Sequence, residues 1–525
     1  MNEFKVTVKN RYMVIPINMN AKMKKIKMCE GGKLIYDFDA HLDFDTPRYY
    51  SYLNVERFKG RTLVLTCEPR ADIRFTFVDA IPTAGMYKEE FRPLVHFTAG
   101  IGWTNDPNGP TLYDGKYHLF FQHNPLDSAW GNMTWGHALS DDLIHWHETE
   151  SALYPDEMGT MFSGSGIEDI RNVSGLDKGA FILYYTAAGN NSELSKGRMS
   201  TQCMAYSTDG GNSFAKYENN PVIPHIEGAN RDPKIVWCEE LDCYLLALYI
   251  DGNEYALFSS DDLIHFTEQQ RIRLPGDAEC PDLYPVRTEN GSRERKWVFA
   301  GASDKYLVGE FNKKKGFRFI PSQSARSYTY GKRTSYAAQS FSGTGDRRIR
   351  MAWEILHAPE SVFENQMGIP VEISLVKLGG EYRLRTLPVK EFECLRVGSE
   401  THIVSGSAFE RPLHKKAYDL SISAPTDSPE FEISFFGYRF RIKPSENLFA
   451  YDDVTAPLSY GEIGRINIRI ISDVLGCEIF IDNGLIYTVA GSLADYGIRY
   501  FTLNSLSERE LNNVEVTIHT LKGIR

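Results

Sequence analysis

Three segments of the chain share one pattern: an apolar run that ends in serine, an Asp-rich turn, and then an aromatic residue. They span residues 138–146, 205–214 and 257–266, and the first and last share the run Asp-Asp-Leu-Ile-His. Repeats some tens of residues apart are typical of β-propellers, in which four-stranded blades surround a central channel. The alternative is three similar β-turns in unrelated hairpins, but the shared run favours repeated blades.

The rest of the central region also has the texture of β-strands. Helical periodicity is scarce, and short apolar or alternating runs lie between Gly, Asp, Asn and Pro residues. Aromatic residues make up 13% of the chain, and flat rings pack well on pleated sheets. The sequence therefore predicts an all-β protein, with strands that include residues 117–121, 181–186, 234–237, 244–250, 297–301 and 348–353.

The texture changes on both sides of this region, which predicts three domains. Residues 1–90 contain separate strand-like pieces and indicate a small accessory N-terminal β domain. Residues 91–390 contain the repeats and form the predicted propeller. Residues 395–525 are interpreted as a C-terminal β-sandwich. Long alternating strands are expected there at 431–442, 465–472 and 477–489, with a hairpin signal, Ile-Asp-Asn-Gly, at 481–484.

Composition excludes several classes of partner. The formal net charge of −11 repels phosphate backbones and anionic lipids on average, so we expect neither nucleic acid nor membrane as a partner. The eight cysteines form no Cys-x-x-Cys pair and no cluster with zinc-ligand spacing, so we expect free thiols and no bound metal. Residues 1–20 lack a signal-peptide pattern, and no apolar run reaches membrane-spanning length, which predicts a cytoplasmic protein.

The run 103–109, Trp-Thr-Asn-Asp-Pro-Asn-Gly, concentrates unusual chemistry in seven residues. It places the Asp106 carboxylate among two amides and an indole, with Pro and Gly to restrict the backbone. A residue before proline does not easily continue a helix, and Asn-Gly is typical of tight turns, so we expect a turn here. Such a turn suits a corner that binds and cleaves sugars. The plainer alternative is an Asx-turn, in which Asp106 accepts only local backbone hydrogen bonds.

Two further acids lie in similarly stiff settings, Asp232 in Arg-Asp-Pro (231–233) and Glu279 in Glu-Cys-Pro (279–281). Because proline fixes φ, we expect these acids at strand ends or in rigid loops, which a propeller gathers at one end of its channel. Arg231 is expected to help keep Asp232 ionised. Taken singly, each acid has a plainer alternative that fits equally well. Asp232 would form a surface ion pair, and Glu279 would be an exposed loop residue.

Three acids of this kind fit the cleavage of a glycosidic bond with retention of configuration. That reaction needs one carboxylate as nucleophile and one carboxylic acid to protonate the leaving oxygen. A third acid can bind sugar hydroxyls more tightly as the ring approaches the transition state. Two carboxyl groups suffice for this chemistry, so we expect no cofactor.

The three blocks together resemble glycoside hydrolase family 32, the β-fructofuranosidases, levanases and inulinases. Asn-Asp-Pro-Asn-Gly (105–109), Arg-Asp-Pro (231–233) and Glu-Cys (279–280) occur here in the family's order. The resemblance covers roughly residues 90 to 520. Further matches are Phe-Arg-Pro at 91–93, His-Phe at 96–97, Gln-His-Asn-Pro at 122–125, Trp-Gly-His-Ala at 135–138, Phe-Ser-Gly-Ser at 162–165, Tyr-Ala-Ala-Gln-Ser-Phe at 336–341 and the sandwich-domain motif at 473–484.

The resemblance implies a five-bladed β-propeller followed by a β-sandwich, and a retaining double displacement on a terminal β-fructofuranosyl unit. It implies Asp106 as nucleophile, Glu279 as general acid/base and Asp232 as transition-state stabiliser. The substrate would be a short fructan, of levan or inulin type, or sucrose. The residues implied to line the fructose pocket are Asn105, Gln122, Trp130, Phe162, Ser163 and Arg231.

Some features depart from the family pattern or leave alternatives open. The family often has Ile/Leu-Pro-Arg-Glu near the end of the propeller, where this chain has Ile-Pro-Val-Glu at 369–372. At 330–335 this chain has Tyr-Gly-Lys-Arg-Thr-Ser, where relatives often carry acidic and aromatic residues. Both differences concern the leaving-group side of the pocket. The alternatives are a fructosyltransferase, a non-catalytic carbohydrate-binding propeller and an inverting, arabinan-cleaving propeller. The role of the N-terminal domain, the linkage preference and the formation of a homo-oligomer stay open.

Overall fold

The computed structural model describes residues 3–289, 294–327, 329–331, 334–458 and 464–525. Nearly all of their regular structure is β-strand, and no helix in these ranges has the length and apolar character needed to cross a membrane. The eight cysteines are free thiols. Helical structure in these ranges consists of four short 3₁₀ segments, Glu56–Phe58, Lys313–Lys315, Lys390–Leu395 and Pro444–Glu446.

The N-terminal region forms two small antiparallel sheets that enclose their own core. One sheet has the strand order β1-β6-β3-β4 and the other β5-β2-β7. Buried and exposed residues alternate along β6, as expected for a strand with one face on a core. Ile15, Phe38 and Leu65 lie in the core between the sheets. The strands are β1 (Glu3–Thr7), β2 (Tyr12–Ile17), β3 (Lys24–Glu30), β4 (Lys33–Ala40), β5 (Tyr49–Asn54), β6 (Thr62–Glu68) and β7 (Thr76–Val78).

The middle of the chain forms five four-stranded antiparallel blades. The first two consist of β8 (Gly102–Tyr113), β9 (Lys116–Asn124), β10 (Thr134–Ser140) and β11 (Trp146–Glu148), and of β12 (Thr160–Glu168), β13 (Phe181–Ala188), β14 (Thr201–Ser207) and β15 (Ala215–Lys216). The third and fourth consist of β16 (Arg231–Cys238), β17 (Cys243–Asp251), β18 (Glu254–Ser260) and β19 (Thr267–Arg273), and of β20 (Asp282–Arg287), β21 (Arg295–Ala300), β22 (Lys305–Phe311) and β23 (Phe319–Pro321).

The fifth blade closes the ring. The short strands β24 (Arg326–Ser327), β27 (Phe363–Glu364) and β28 (Gln366–Met367) pair with β22, β8 and β26 respectively. The first strands of the blades contact one another in the order β8, β12, β16, β20 and β25, and β25 contacts β8 again. The predicted five-bladed propeller is therefore confirmed. The fifth blade consists of β25 (Ser335–Ser340), β26 (Ile349–Glu354), β29 (Val371–Leu378) and β30 (Glu381–Pro388).

The three repeated segments occupy equivalent places in the first three blades, between the third and fourth strands. In each turn the serine hydroxyl lies within hydrogen-bond distance of an aspartate two residues later. The distance is 3.1 Å from Ser140 to Asp142, 2.7 Å in the second blade and 3.2 Å in the third. The same aspartate then accepts backbone N–H bonds of the turn, as Asp142 does from Ile144 and His145. The same turn therefore occurs once in each of the first three blades.

The turn expected at 103–109 is wrong, because these residues lie inside β8. Pairing of β8 with β9 shifts register between Thr104 and Pro107, and again between Asn108 and Thr111. The residues that suggested a turn make these irregularities instead, since Pro107 has no N–H to pair and bulges re-aim side chains. Gly109 takes a φ of 50°. Pro107 and Gly109 therefore mark irregularities within a strand, and not a turn between strands.

The C-terminal region is a sandwich of two six-stranded sheets, ordered β31-β42-β33-β38-β39-β40 and β32-β41-β34-β35-β36-β37. Their inner faces share one apolar core that includes Leu420, Phe440 and Ile468. The strands are β31 (Arg396–Gly406), β32 (Ala408–Pro412), β33 (Tyr418–Pro425), β34 (Phe431–Phe435), β35 (Tyr438–Lys443), β36 (Leu448–Tyr451), β37 (Val454–Pro457), β38 (Arg465–Ser472), β39 (Cys477–Ile481), β40 (Ile486–Ala490), β41 (Tyr500–Ser505) and β42 (Leu511–Leu521).

Two stretches expected as long strands are hairpins. The stretch 431–442 breaks into β34 and β35 at Phe436 and Gly437, whose φ values of 47° and 86° match a two-residue type I′ turn. Phenylalanine is not a typical turn residue, so the alternating pattern of 431–442 continued through Phe436 and indicated a single strand. The stretch 477–489 breaks at Asp482 and Asn483, where the Ile-Asp-Asn-Gly signal predicted a hairpin.

A buried polar cluster joins the propeller to the sandwich. The two ring nitrogens of His96 lie 2.8 Å from the Asp473 carboxylate and 3.0 Å from that of Glu478. The same carboxylates accept the backbone N–H groups of Val95 and Ile369. Burial alone would lower the pKa of His96, but its bonds to Asp473 and Glu478 outweigh burial and raise it well above the usual value. The histidine is therefore a buried cation held between two anions.

We expect His96→Leu to reduce the free energy of unfolding by about 3–5 kcal/mol, because it leaves Asp473 and Glu478 buried without their cation. Thermal unfolding of the full chain measures the loss. His145→Leu is the matched control, since His145 makes an equally short but solvent-exposed pair with Asp142; such pairs contribute less than about 1 kcal/mol. Equal melting temperatures for the two variants would contradict this account of the interface.

Candidate active site

A pocket of 230 Å³ lies where the first strands of the five blades meet. Its side chains come from β8, β9, β12, β16, β25 and β26, from the segment just before β20, and from the loop after β9. Residues more than 200 positions apart in the chain thus face one another. The pocket is lined by Asn105, Asp106, Gln122, Trp130, Phe162, Ser163, Arg231, Asp232, Glu279, Cys280, Tyr336 and Trp353.

All nine residues that the sequence predicted for the site line this pocket. Three more were missed: Cys280, Tyr336 and Trp353. The first two belong to runs that match the family, Glu-Cys and Tyr-Ala-Ala-Gln-Ser-Phe, so a signal for them existed. Trp353 carries no such signal, because an aromatic residue in a β-strand is ordinarily interpreted as core.

The Asp106 carboxylate is partly buried and held by three donors. The Ser163 hydroxyl donates to Oδ2 at 2.6 Å, the Asn105 amide to Oδ1 at 3.2 Å, and the Cys280 thiol to Oδ2 at 3.3 Å. The indole N–H of Trp103 in turn fixes the Asn105 amide at 2.8 Å. Burial raises the pKa of Asp106 above its ordinary value, and these three donors oppose the rise. The arrangement orients a carboxylate that has no cation partner among the described residues.

Glu279 is held in a different way, and its described partners include one cation and one phenol. Arg231 donates to Oε1 at 2.6 Å and the Tyr336 hydroxyl to Oε2 at 2.6 Å. Arg231 is itself positioned by the backbone carbonyl of Ala229 and lies over the ring of Tyr249. The carboxyl groups of Asp106 and Glu279 therefore have chemically distinct surroundings.

Asp232 is the most enclosed of the three acids. Its Oδ2 accepts the backbone N–H of Cys280 at 3.0 Å, and its own N–H donates to Thr186 at 2.9 Å. Asp232, Glu279 and Cys280 all have left-handed backbone conformations, with φ values of 66°, 59° and 35°. Such conformations are unfavourable for residues other than glycine and cluster at functional sites. The surrounding structure therefore holds these acids in place at an energetic cost.

Arg231 favours the ionised form of Asp232, as the sequence predicted, but burial outweighs it and the pKa of Asp232 rises. The short bond of Arg231 goes to Glu279, while its Nε lies 3.7 Å from Asp232. Burial raises the pKa of Asp232 from 3.8 to about 6; Arg231 lowers it by less, and the Asp106 charge adds to the rise. Adjacency in sequence could not reveal this, because burial is a property of the fold.

We expect Asp232→Asn to stabilise the folded protein at pH 7 while it removes activity. The pKa of Asp232 is about 6 in the folded state against the ordinary 3.8, so the folded state binds more protons between these values. The free energy of unfolding then decreases as pH rises from about 4 to 6, by on the order of 1–3 kcal/mol. The variant should recover this loss and melt higher than wild type at pH 7, but not at pH 4. A lower melting temperature at pH 7 would contradict the assignment.

Aromatic rings form the apolar walls of the pocket. Trp130 and Phe162 meet edge to face with ring centres 6.0 Å apart, and Trp353 contacts the rings of Trp103 and Tyr336 at 6.1 and 6.2 Å. Trp130 is 53% exposed, although it belongs to one of the largest apolar residue types. Such a ring, beside amides, a hydroxyl and carboxylates, provides an apolar face and polar partners of the kind that sugars need.

Neither departure from the family pattern adds a described residue to the pocket. Ile369 and Pro370 precede β29, Val371 begins it, and none of the described pocket-lining residues comes from 369–372. Of the segment 330–335, positions 332 and 333 lie outside the described residues.

A larger cavity, of 600 Å³, lies elsewhere in the protein. It is bounded by the N-terminal domain, the first blade and the last two residues of the chain, and Tyr52, Glu148 and Arg525 are among its lining residues. It contains none of the three acids predicted for catalysis. This cavity is the larger of the two, but the acids predicted for catalysis lie in the smaller pocket.

Comparison with known proteins gives one consistent family. The model of the glycosyl hydrolases family 32 N-terminal domain matches residues 96–388. The levanase of Bacillus subtilis (strain 168) is 32% identical over 499 residues, which are 83% of this chain and 71% of the levanase. An invertase of Schizosaccharomyces pombe is 31% identical over 376 residues, 65% of this chain and 62% of that protein.

A solved structure agrees at the level of the fold. The crystal structure of exo-inulinase from Aspergillus awamori superposes with a TM-score of 0.75 at 23% identity, and the match covers 84% of this chain and all of that one. The family model covers more than half of the chain, and the three acidic blocks that it spans meet in one pocket. This chain therefore belongs to glycosyl hydrolases family 32.

Proposed function

We propose that this protein is a retaining, exo-acting β-fructosidase that removes terminal β-fructofuranosyl units from short fructans of levan or inulin type, or from sucrose. The observation that carries the proposal is the meeting of Asp106 and Glu279 in one 230 Å³ pocket, with different hydrogen-bond partners. A pocket of this size fits one sugar ring at the end of a chain better than the middle of a polymer.

In the first half of the reaction, an Asp106 oxygen attacks the anomeric carbon of the fructosyl unit. The bond to the leaving oxygen breaks, and Glu279 gives that oxygen its proton. In the second half, Glu279 takes a proton from water, the resulting hydroxide attacks the same carbon, and the bond to Asp106 breaks. Because each displacement inverts the carbon once, the released fructose keeps its original configuration.

The remaining residues of the pocket bind and orient the sugar. Asp232 lies beside both reacting carboxyl groups, linked to Asp106 through the Cys280 thiol at 3.5 and 3.3 Å. It accepts hydrogen bonds from ring hydroxyls, which strengthen as positive charge develops on the sugar. Burial raises the pKa of Cys280 well above its ordinary value, so Cys280 stays a thiol and donates to the two carboxylates.

The names of the relatives support this substrate class. Those relatives are called levanase, invertase and exo-inulinase, which names enzymes that act on fructans or sucrose. Intact Asp106 and Glu279 argue against a purely carbohydrate-binding propeller, since binding alone requires neither a nucleophile nor an acid. The proposal therefore rests on the chemistry of the pocket together with the family.

Product analysis tests the proposal. The full chain is incubated with sucrose, and with inulin-type and levan-type oligosaccharides, and products are followed by chromatography and by proton NMR at early times. We expect free β-fructose and chains shortened by one unit. Longer or cyclic products at high substrate concentration would indicate a fructosyltransferase. Initial release of the opposite anomer would exclude the retaining mechanism.

A further inference from the structure

A second pocket, of 190 Å³, lies against the catalytic pocket, and Trp130 lines both. One side of this second pocket belongs to the N-terminal domain, which lies outside the matched family domain. The other side belongs to the loops after β9 and β13 of the propeller. Its lining residues include Met23, Asp37, Asp39, Trp130, Asn132 and Asn191.

The N-terminal domain holds the loop that carries Trp130. The backbone N–H of Asp39 donates to the side-chain oxygen of Asn132 at 2.9 Å, and the Asp39 carbonyl accepts from the Asn132 amide at 2.7 Å. Just after β4, the His41 backbone and ring bond the fully buried Asp127 carboxylate at 2.8 and 2.6 Å. Trp130 lies between these two anchors, so its placement depends on β4.

The same strand also fixes the loop between β13 and β14. The Asp37 carboxylate accepts the backbone N–H groups of Glu193 and Leu194 at 3.0 and 2.9 Å. Both of its oxygens are engaged in this way, and Asp37 is buried. The second pocket is therefore bounded by one strand and by two loops that hydrogen bonds hold in place.

The chemistry of the second pocket suits a sugar. Trp130 is 53% exposed and Met23 41% exposed, so each offers an apolar face that nothing covers among the described residues. Asp39 contacts the loop only through its backbone N–H and carbonyl groups. Within the described ranges, its carboxylate has only an ion pair of 3.8 Å with Lys25. The Asn191 side chain supplies a further polar group at the rim. Apolar faces beside hydroxyl partners are the general requirement for carbohydrate binding.

We propose that this second pocket binds the sugar units of an oligosaccharide that follow the terminal one, so that the N-terminal domain favours longer chains over sucrose. The inference rests on the proposed function, because it takes the catalytic pocket as the site of the terminal unit. Trp130 provides a continuous wall from the first sugar to the next. The Asp39 carboxylate accepts hydroxyl hydrogen bonds from a unit beyond the second, and Met23 packs on that unit, so sucrose, which has only two units, reaches neither.

The test compares kcat/KM on sucrose with kcat/KM on fructo-tetrasaccharides of inulin and levan type, for the full chain. Asp39→Ala removes the carboxylate but keeps the backbone bonds to Asn132. We expect it to lower kcat/KM on the tetrasaccharides of at least one linkage about fivefold, as for a lost hydrogen bond, and to leave sucrose within about twofold. Met23→Ala is expected to act in the same direction, about two- to threefold, through lost apolar contact. Wild-type release of fructose from sucrose reports the proposed function separately.

Asp45→Ala is the matched control, because Asp45 also pairs with a cation in the N-terminal domain but lies outside the second pocket. It should leave the ratio of tetrasaccharide to sucrose activity unchanged. Thermal unfolding of each variant shows whether the domain is intact. The inference is overturned if Asp39→Ala and Met23→Ala both leave that ratio unchanged, whether by no effect or by equal losses on all substrates.

Discussion

Replacing Asp106 with asparagine is expected to reduce turnover by about four orders of magnitude or more, with folding and sugar binding largely retained. Without the carboxylate, no covalent fructosyl intermediate forms, and losses of this size are typical when an enzyme loses its nucleophile. Asparagine has nearly the same shape, and its side-chain oxygen still accepts from the Ser163 hydroxyl and the Cys280 thiol. The pocket should therefore keep its form.

Initial rates of fructose release measure the loss, and calorimetric titration with fructose measures the binding that remains. Asp141→Asn is the matched control, because Asp141 is exposed on the same blade and pairs only with Lys116 among the described residues; its activity should equal that of wild type. If Asp106→Asn kept more than a tenth of the wild-type rate, the nucleophile would be another group. If it also lost fructose binding, the substitution would have damaged the pocket.

The sequence predicted most of the active site because its chemistry lies in short, unusual runs. Asp106, Asp232 and Glu279 each stand next to or near a proline, and such combinations mark a position without knowledge of the fold. What the sequence could not supply was their surroundings. The pKa of about 6 for Asp232 arises chiefly from burial, and the short bond of Arg231 goes to Glu279, 48 residues later, and not to the adjacent Asp232.

The missed residues show the same limit. Register along β25 shifts between Tyr336 and Gln339, so simple alternation does not reveal which side chain faces the pocket. Trp353 lies on β26, where an aromatic residue is normally part of the core. Both reach the pocket through contacts between strands that are distant in the chain, and single-sequence patterns report only local structure.

The fold was predictable in kind and less so in detail. The repeated serine and aspartate turn identified three of the five blades, and the Asp482-Asn483 hairpin was read correctly. The run around Asp106 was misread as a turn because Pro and Gly have the same local signature in a bulged strand. Phe436 was misread because a bulky residue at positive φ is rare. The hydrogen bonds from β4 to the loop of Trp130 join Asp39 to Asn132. No pattern within one strand predicts contacts between residues so far apart in the chain.

The second large effect is expected from Glu279→Ala, and its size should depend on the leaving group. Sucrose and fructans leave as poor alkoxides that need a proton, so loss of the general acid should slow them about 10²- to 10⁴-fold. An activated β-fructoside with a phenolate of low pKa as leaving group needs little protonation, so its first step should be nearly as fast as in wild type. The covalent intermediate should then accumulate, because water lacks its base.

Stopped-flow measurement of phenolate release tests this directly, as a burst followed by a slow phase in Glu279→Ala. Glu289→Ala is the matched control, because Glu289 also pairs with an arginine, Arg385, but it lies in the loop after β20, outside the pocket; it should show wild-type rates. Tyr336→Phe should lie between the two, since it removes one of the donors described for Glu279. A uniform loss across natural and activated substrates would mean that Glu279 only positions the sugar. The acid would then have to be another group that reaches the same leaving oxygen.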